Sequence, residues 1–100
     1  MKLRLNKKVL KENSVQFMRQ AGYSFIRGIV GEEMSFERPL AANGWPRFHA
    51  YVKEDDNELS INLHLDQKRP SYAGASAHSG EYDGELLNEE IERIKLLAKS

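Results

Sequence analysis

Apolar and polar residues alternate most regularly in two neighbouring segments, residues 47–54 (RFHAYVKE) and 59–67 (LSINLHLDQ). Such alternation is typical of β-strands that bury one face. Between them lies Asp55-Asp56-Asn57-Glu58, a run rich in turn-forming residues. We therefore predict that residues 46–67 form an antiparallel β-hairpin.

The same alternation predicts the register of this hairpin. Pairing Glu54 with Leu59 places Val52 opposite Ile61 and sets every apolar side chain against another apolar one. A slip by one residue would place apolar side chains opposite polar ones. We therefore expect one face of the hairpin to lie in the core and the other face to be polar.

An N-terminal helix is predicted from Lys7 to Ala21, with Asn6 as its N-cap and Gly22 just after its end. The pair Asn13-Ser14 is a weak point, where the helix could break and restart with Ser14 as a second cap. The expected buried stripe consists of Val9, Leu10, Phe17, Met18 and Ala21.

A second helix is predicted from near Asp83-Gly84 to about residue 98. Glu89 and Arg93 have the i,i+4 spacing of a favourable ion pair on its surface. Its expected buried stripe consists of Leu87, Ile91, Ile94 and either Leu97 or Ala98. This helix is expected to pack on the apolar face of the hairpin.

Three shorter segments, residues 2–5, 23–27 and 33–38, are predicted to be further strands. In the last of these, Met34 and Phe36 share one face. We therefore predict an α+β fold with a mostly antiparallel sheet of four or five strands and two helices packed on one face.

Length and composition indicate one small globular domain over residues 1–100, with 40% apolar and 30% charged residues. The absence of cysteine excludes disulfides and thiolate metal sites. No apolar run approaches the roughly 20 residues of a membrane span, and no apolar segment follows the basic start MKLRLNKK. We expect a cytoplasmic protein, a monomer or small homo-oligomer, that does not bind membranes.

Charge is unevenly distributed along this neutral chain. Residues 1–30 contain seven basic residues and Glu12 as their one acidic residue, whereas residues 31–66 contain eight acidic and three basic residues. Attraction between these two segments in the fold is one explanation. A nucleic-acid interface on the basic N-terminal helix is the other.

The polar face of the hairpin carries the first candidate site. The predicted register places His49 opposite His64 and Arg47 opposite Asp66, with Asp66 diagonal to His49. Imidazoles directly opposite one another are close enough to share a divalent metal ion, and we consider Zn or Mn. An ordinary solvated sheet face without a ligand is the alternative.

The stretch 67–83 shows neither helical nor strand periodicity and is long for a simple connector. It begins with Lys68, Arg69 and Tyr72 and ends with His78 and Glu81. We expect it to fold back over the polar face and to bring His78 to the two histidines of the hairpin, although a plain surface loop is the alternative. The candidate metal ligands are His49, His64, Asp66 and His78, and the candidate substrate-binding residues are Arg47, Tyr51, Lys68, Arg69, Tyr72 and Glu81.

Three functions fit these features. The first is binding of a metal or small ligand by histidines and carboxylates, with hydrolysis of a phosphate-containing substrate as the enzymatic form. The second is a non-catalytic nucleic-acid-binding module, and the third is a structural or partner-binding domain without a ligand. A phosphate-binding loop, a dinucleotide fingerprint and a serine-hydrolase elbow are absent from the sequence. Trp45, just before the hairpin, is expected to lie in the core, and a place in a stacking platform for single-stranded nucleic acid is the alternative.

Three strings, WPRFHAYV (45–52), NLHLDQKRPSY (62–72) and AHSGEYDG (77–84), resemble a family of short uncharacterised bacterial proteins. The resemblance covers roughly the second half of the chain. It implies a bacterial origin and carries over neither a catalytic residue nor an activity.

Overall fold

The strands form one antiparallel sheet in the part of the chain that the structure describes. This structure is a computed structural model that describes residues 1–29, 32–67 and 84–99 and the backbone of 80–81. Its elements are β1 (Lys2–Asn6), a 3-10 turn (Lys7–Val9), α1 (Ser14–Gln20), β2 (Ser24–Gly28), β3 (Met34–Pro39), β4 (Arg47–Glu54), β5 (Glu58–Asp66), β6 (Gly80–Glu81) and α2 (Glu85–Lys99).

Five strands lie side by side in the order β1-β5-β4-β3-β2, and the short β6 pairs with β5. The predicted register of the β4–β5 hairpin is confirmed, with Val52 opposite Ile61 and His49 opposite His64. Because β1 joins the far side of β5, the hairpin lies in the middle of the sheet. The α+β prediction is confirmed.

One hydrophobic core lies between the helices and a single face of the sheet. It includes Phe17 and Met18 of α1, the apolar residues of β4 and β5, and the predicted stripe of α2. At the end of that stripe the core contains Ala98, whereas Leu97 is 37% exposed. Both helices therefore cover the apolar face, and the polar face of the sheet lies on the other side.

The predicted N-terminal helix is interrupted at the weak point. Asn6 caps the 3-10 turn by accepting a hydrogen bond from the Lys8 backbone, and α1 starts only after Asn13. Asn13, rather than Ser14, is the second cap, because its side chain accepts from the Gln16 N–H at 2.9 Å. Val9, expected in the buried stripe, is 51% exposed on the 3-10 turn.

The predicted surface pair between Glu89 and Arg93 is wrong. Arg93 instead donates from Nε to Oε1 of Glu90 at 2.7 Å, and Glu90 is a buried residue of α2. The Tyr23 hydroxyl donates to Glu90 at 2.6 Å, and Arg38 of β3 lies 3.5 Å away. This carboxylate thus joins the last helix to the sheet and to the end of α1.

Part of the stretch expected to be irregular is a strand. Gly80 pairs with Asp66 and Glu81 pairs with Leu65, so the chain returns to the sheet beside the end of β5. β6 has only two residues, and neither is apolar, so the sequence shows no alternation of apolar and polar residues that could have predicted it. Among the described residues, no helix is both long and apolar enough to cross a membrane.

Candidate metal centre

Three predicted ligands meet on the polar face, near the C-terminal end of β5. His49 of β4 lies directly opposite His64 of β5, and Asp66 follows two residues later on the same face. One ligand atom from each of the three lies within 4.8 Å of the others. The hairpin register therefore assembles two imidazoles and a carboxylate in one place.

Asp66 is the centre of this cluster. Its Oδ1 lies 3.1 Å from His64 Nε2, and its Oδ2 lies 3.6 Å from His49 Nδ1. Arg47 donates from Nε to Oδ2 at 3.3 Å and also forms an ion pair with Glu37. The guanidinium holds the carboxylate in place while the two imidazoles approach it from the hairpin.

Ser35 of β3 contacts the other side of His49. Its Oγ lies 2.6 Å from His49 Nε2, and both residues are buried. In the tautomer with the proton on Nε2, that nitrogen donates to Ser35 and the lone pair of Nδ1 points towards Asp66. Ligating histidines commonly have such a second partner, which fixes the ring and its tautomer.

The sequence did not identify Ser35 and Glu37 as site residues. The signal that was available is the predicted shared face of Met34 and Phe36, which places the residues between and after them on the polar side. Their position beside His49 depends on the pairing of β3 with β4, in which Glu37 lies opposite His49.

Aromatic rings surround the two histidines. Tyr51 stacks on His49 with a centroid distance of 4.4 Å, and the His49 and His64 centroids are 4.8 Å apart. The Arg47 guanidinium lies over the Trp45 ring, 4.4 Å from its centroid. Trp45 was expected in the core, but it is only partly buried and flanks the site instead, where its ring face stacks on a cation.

Burial lowers the pKa of His49 and of His64 below the ordinary value of 6.5. For His49 the neighbouring imidazole acts in the same direction, whereas the Asp66 carboxylate opposes the shift in both residues. The side chains of His49 and His64 are only 10% and 12% exposed, so water stabilises their protonated forms poorly. Both rings are therefore neutral at pH 7, the form that binds metal ions.

The metal-free protein is expected to lose stability on acidification below pH 6.5. The folded state keeps these imidazoles neutral while the unfolded chain protonates them, so stability is complete above pH 6.5 and falls as the pH falls through the lowered pKa values. The expected slope is at most about 1.4 kcal/mol per pH unit for each ring. Urea unfolding between pH 5.5 and 7.5 measures it. The double variant His49→Gln/His64→Gln should show a flatter dependence, and equal slopes would contradict the assignment.

The structure describes only some of the other predicted site residues. Arg47 and Tyr51 lie at the cluster, in the contacts given above. Glu81 belongs to β6, which pairs with the end of β5. The remaining candidates lie outside the described residues: His78, Lys68, Arg69 and Tyr72. The prediction that this loop folds back over the polar face concerns the same residues and stays a prediction.

Bases of the N-terminal segment pair with acids of the middle segment. Lys7 Nζ lies 3.0 Å from a Glu54 carboxylate oxygen, and Arg4 Nε lies 4.0 Å from Glu58. These pairs support the first explanation of the uneven charge, attraction within the fold. Lys7 also donates to the backbone carbonyl of Asp55, at 3.0 Å.

A serine-nucleophile arrangement is not supported by the same cluster. Ser35, His49 and Asp66 form a line, but Ser35 is only 4% exposed and is therefore closed to a substrate. The 3.6 Å between His49 Nδ1 and Asp66 also exceeds a hydrogen-bond distance. The cluster is therefore better suited to binding a metal ion through three converging ligand atoms than to activating a serine nucleophile.

Comparison of the chain with protein-family models, with curated proteins and with solved structures gave no match.

Proposed function

We propose that this protein binds a divalent transition-metal ion, Zn²⁺ in preference to Mn²⁺, through His49, His64 and Asp66. The observation that carries the proposal is the convergence of their ligand atoms within 4.8 Å of one another. Ligands of a tetrahedral Zn²⁺ ion with bonds of about 2.0–2.1 Å lie a little over 3 Å apart. The distances from the Asp66 carboxylate oxygens to the His64 and His49 nitrogens, 3.1 Å and 3.6 Å, are close to that spacing. Two imidazoles favour Zn²⁺ over the oxygen-preferring Mn²⁺.

The neighbouring residues favour the same donor atoms. Ser35 on Nε2 of His49 leaves Nδ1 as the ligand atom, and His64 presents its Nε2 towards Asp66. Arg47 orients the carboxylate from the other side. Such second partners hold ligands in a binding geometry before the ion arrives.

Three protein ligands are the number found in catalytic rather than structural zinc sites. In such sites the fourth position holds a water molecule, whose pKa the ion lowers to about 7. The chemistry that this donor set serves best is therefore hydrolysis. A metal-dependent hydrolase is the enzymatic form of the proposal.

Zinc uptake by the tag-free protein tests the proposal. Isothermal titration of the chelator-treated protein with Zn²⁺ is expected to give one site per chain, and His64→Ala should abolish stoichiometric uptake because one ligand is lost. Asn62→Ala is the matched control, since Asn62 is an exposed residue on the same strand and face. His78→Ala in the same series establishes whether His78 adds a fourth ligand.

Binding should persist at pH 6.5, since the lowered pKa values make the unprotonated form the majority form of each imidazole there, and should weaken at more acidic pH. Circular dichroism of each variant verifies that the fold is retained. The absence of heat with Zn²⁺, Mn²⁺ and Ni²⁺, or equal uptake by His64→Ala and the wild type, contradicts the proposal.

A further inference from the structure

A polar groove of about 460 Å³ lies beside the metal centre on the same face of the sheet. Its volume falls within the range of about 300–1,000 Å³ that is typical of small-molecule sites. Lys2, Tyr51 and Asn62 line the end nearest the histidines. The groove and the proposed metal centre thus form one continuous surface.

The sheet register places these three residues in one row across the strands. Tyr51 lies opposite Asn62, and Asn62 lies opposite Lys2. This row is two residues along from the row of His49 and His64, a distance of roughly 7 Å. The Tyr51 ring stacks on His49 and is 5.6 Å from His64 between centroids, so it forms a wall shared by the two sites.

The near end of the groove presents hydrogen-bond donors and positive charge. Lys2 carries an ammonium group, Asn62 an amide NH₂ and Tyr51 a hydroxyl, and both Lys2 and Asn62 are exposed. Together with a bound divalent cation, these groups match a dianionic ligand with several acceptor oxygens. A phosphate group has this charge and this number of acceptors.

The far end of the groove, towards the hairpin turn, is lined by carboxylates. Four carboxylates line it together with one lysine: Glu33, Glu54, Asp55, Glu58 and Lys53. Among the described residues, the ion pairs of Glu33 with Lys53 at 3.9 Å and of Glu58 with Arg4 at 4.0 Å are long and exposed, so these carboxylate oxygens retain acceptor capacity. Hydroxyl groups of a ligand are suitable donors to such oxygens.

We propose that this groove binds the phosphate ester of a polyhydroxy alcohol. The phosphate lies between the metal ion and Lys2, and the hydroxyl groups extend towards Glu58 and Glu33. This inference rests on the proposed metal site and adds the class of substrate. It accounts for the opposite chemistry at the two ends of one groove.

Titration of the zinc-loaded protein with glucose 6-phosphate tests the inference, with inorganic phosphate and glucose as separate arms. The ester is expected to bind at least 10-fold more tightly than either arm, because it contacts both ends. Lys2→Met should weaken ester and phosphate binding about 10-fold, with Zn²⁺ uptake unchanged. Glu58→Gln should weaken binding of the ester and leave that of phosphate unchanged. Lys11→Met, at an exposed lysine that does not line the groove, should leave both unchanged.

Failure of this inference is distinguishable from failure of the metal site. A protein that takes up Zn²⁺ but binds the ester no more tightly than inorganic phosphate overturns the inference alone, as does wild-type affinity in Lys2→Met. A protein that takes up no Zn²⁺ overturns both proposals.

Discussion

Replacing Glu90 with leucine is expected to lower the free energy of unfolding by about 3 kcal/mol. The substitution removes the carboxylate that accepts from the Tyr23 hydroxyl and from Arg93 while Tyr23 stays in the core. Burial and the Glu90 charge raise the pKa of Tyr23, so its hydroxyl remains a donor and loses its acceptor. Since small domains have about 5–15 kcal/mol of stability in total, the loss is a large fraction.

The matched control is Glu92→Leu on the same helix. Glu92 is 68% exposed and pairs with Lys95 at 3.4 Å, so its replacement should change stability by less than about 0.5 kcal/mol. Tyr23→Phe removes only the hydroxyl and should cost about 1 kcal/mol. Chemical unfolding of the three variants measures these differences, and similar effects of Glu90→Leu and Glu92→Leu would contradict a structural role for the buried cluster.

Local patterns in the sequence predict the centre of this fold well. The β4–β5 register follows from two alternating segments and a short turn, because only one register places all apolar residues on one face. Once that register is fixed, the proximity of His49, His64 and Asp66 follows from strand geometry alone. The main part of the candidate metal centre was therefore predictable.

Contacts between distant segments were not predictable in this way. The position of Glu37 and Ser35 beside His49 depends on β3 pairing with β4, and several strand orders are compatible with the same alternation. The partner of Arg93 was mistaken for a similar reason. Helical spacing alone favours Glu89, whereas the approach of Tyr23 and Arg38 in the fold selects Glu90.

Asp66→Asn is expected to lower the affinity for Zn²⁺ by about 100-fold or more. The amide keeps the shape of the side chain, but it removes the negative charge that attracts the ion and bonds to it. The same charge raises the pKa of both His49 and His64 against the effect of burial. In the metal-free variant both imidazoles should therefore titrate at a lower pH than in the wild type.

Two measurements on the variant check the two consequences separately. Isothermal titration with Zn²⁺ reports the affinity, and proton NMR of the imidazole ring hydrogens between pH 4.5 and 8 reports the pKa values. Asp56→Asn, an exposed residue of the hairpin turn, serves as the control and should alter neither quantity. Wild-type zinc affinity in Asp66→Asn excludes this carboxylate as a ligand. An unchanged or higher imidazole pKa in the variant is inconsistent with Asp66 at the centre of the cluster. A carboxylate 3.1 Å from His64 Nε2 must favour the protonated ring.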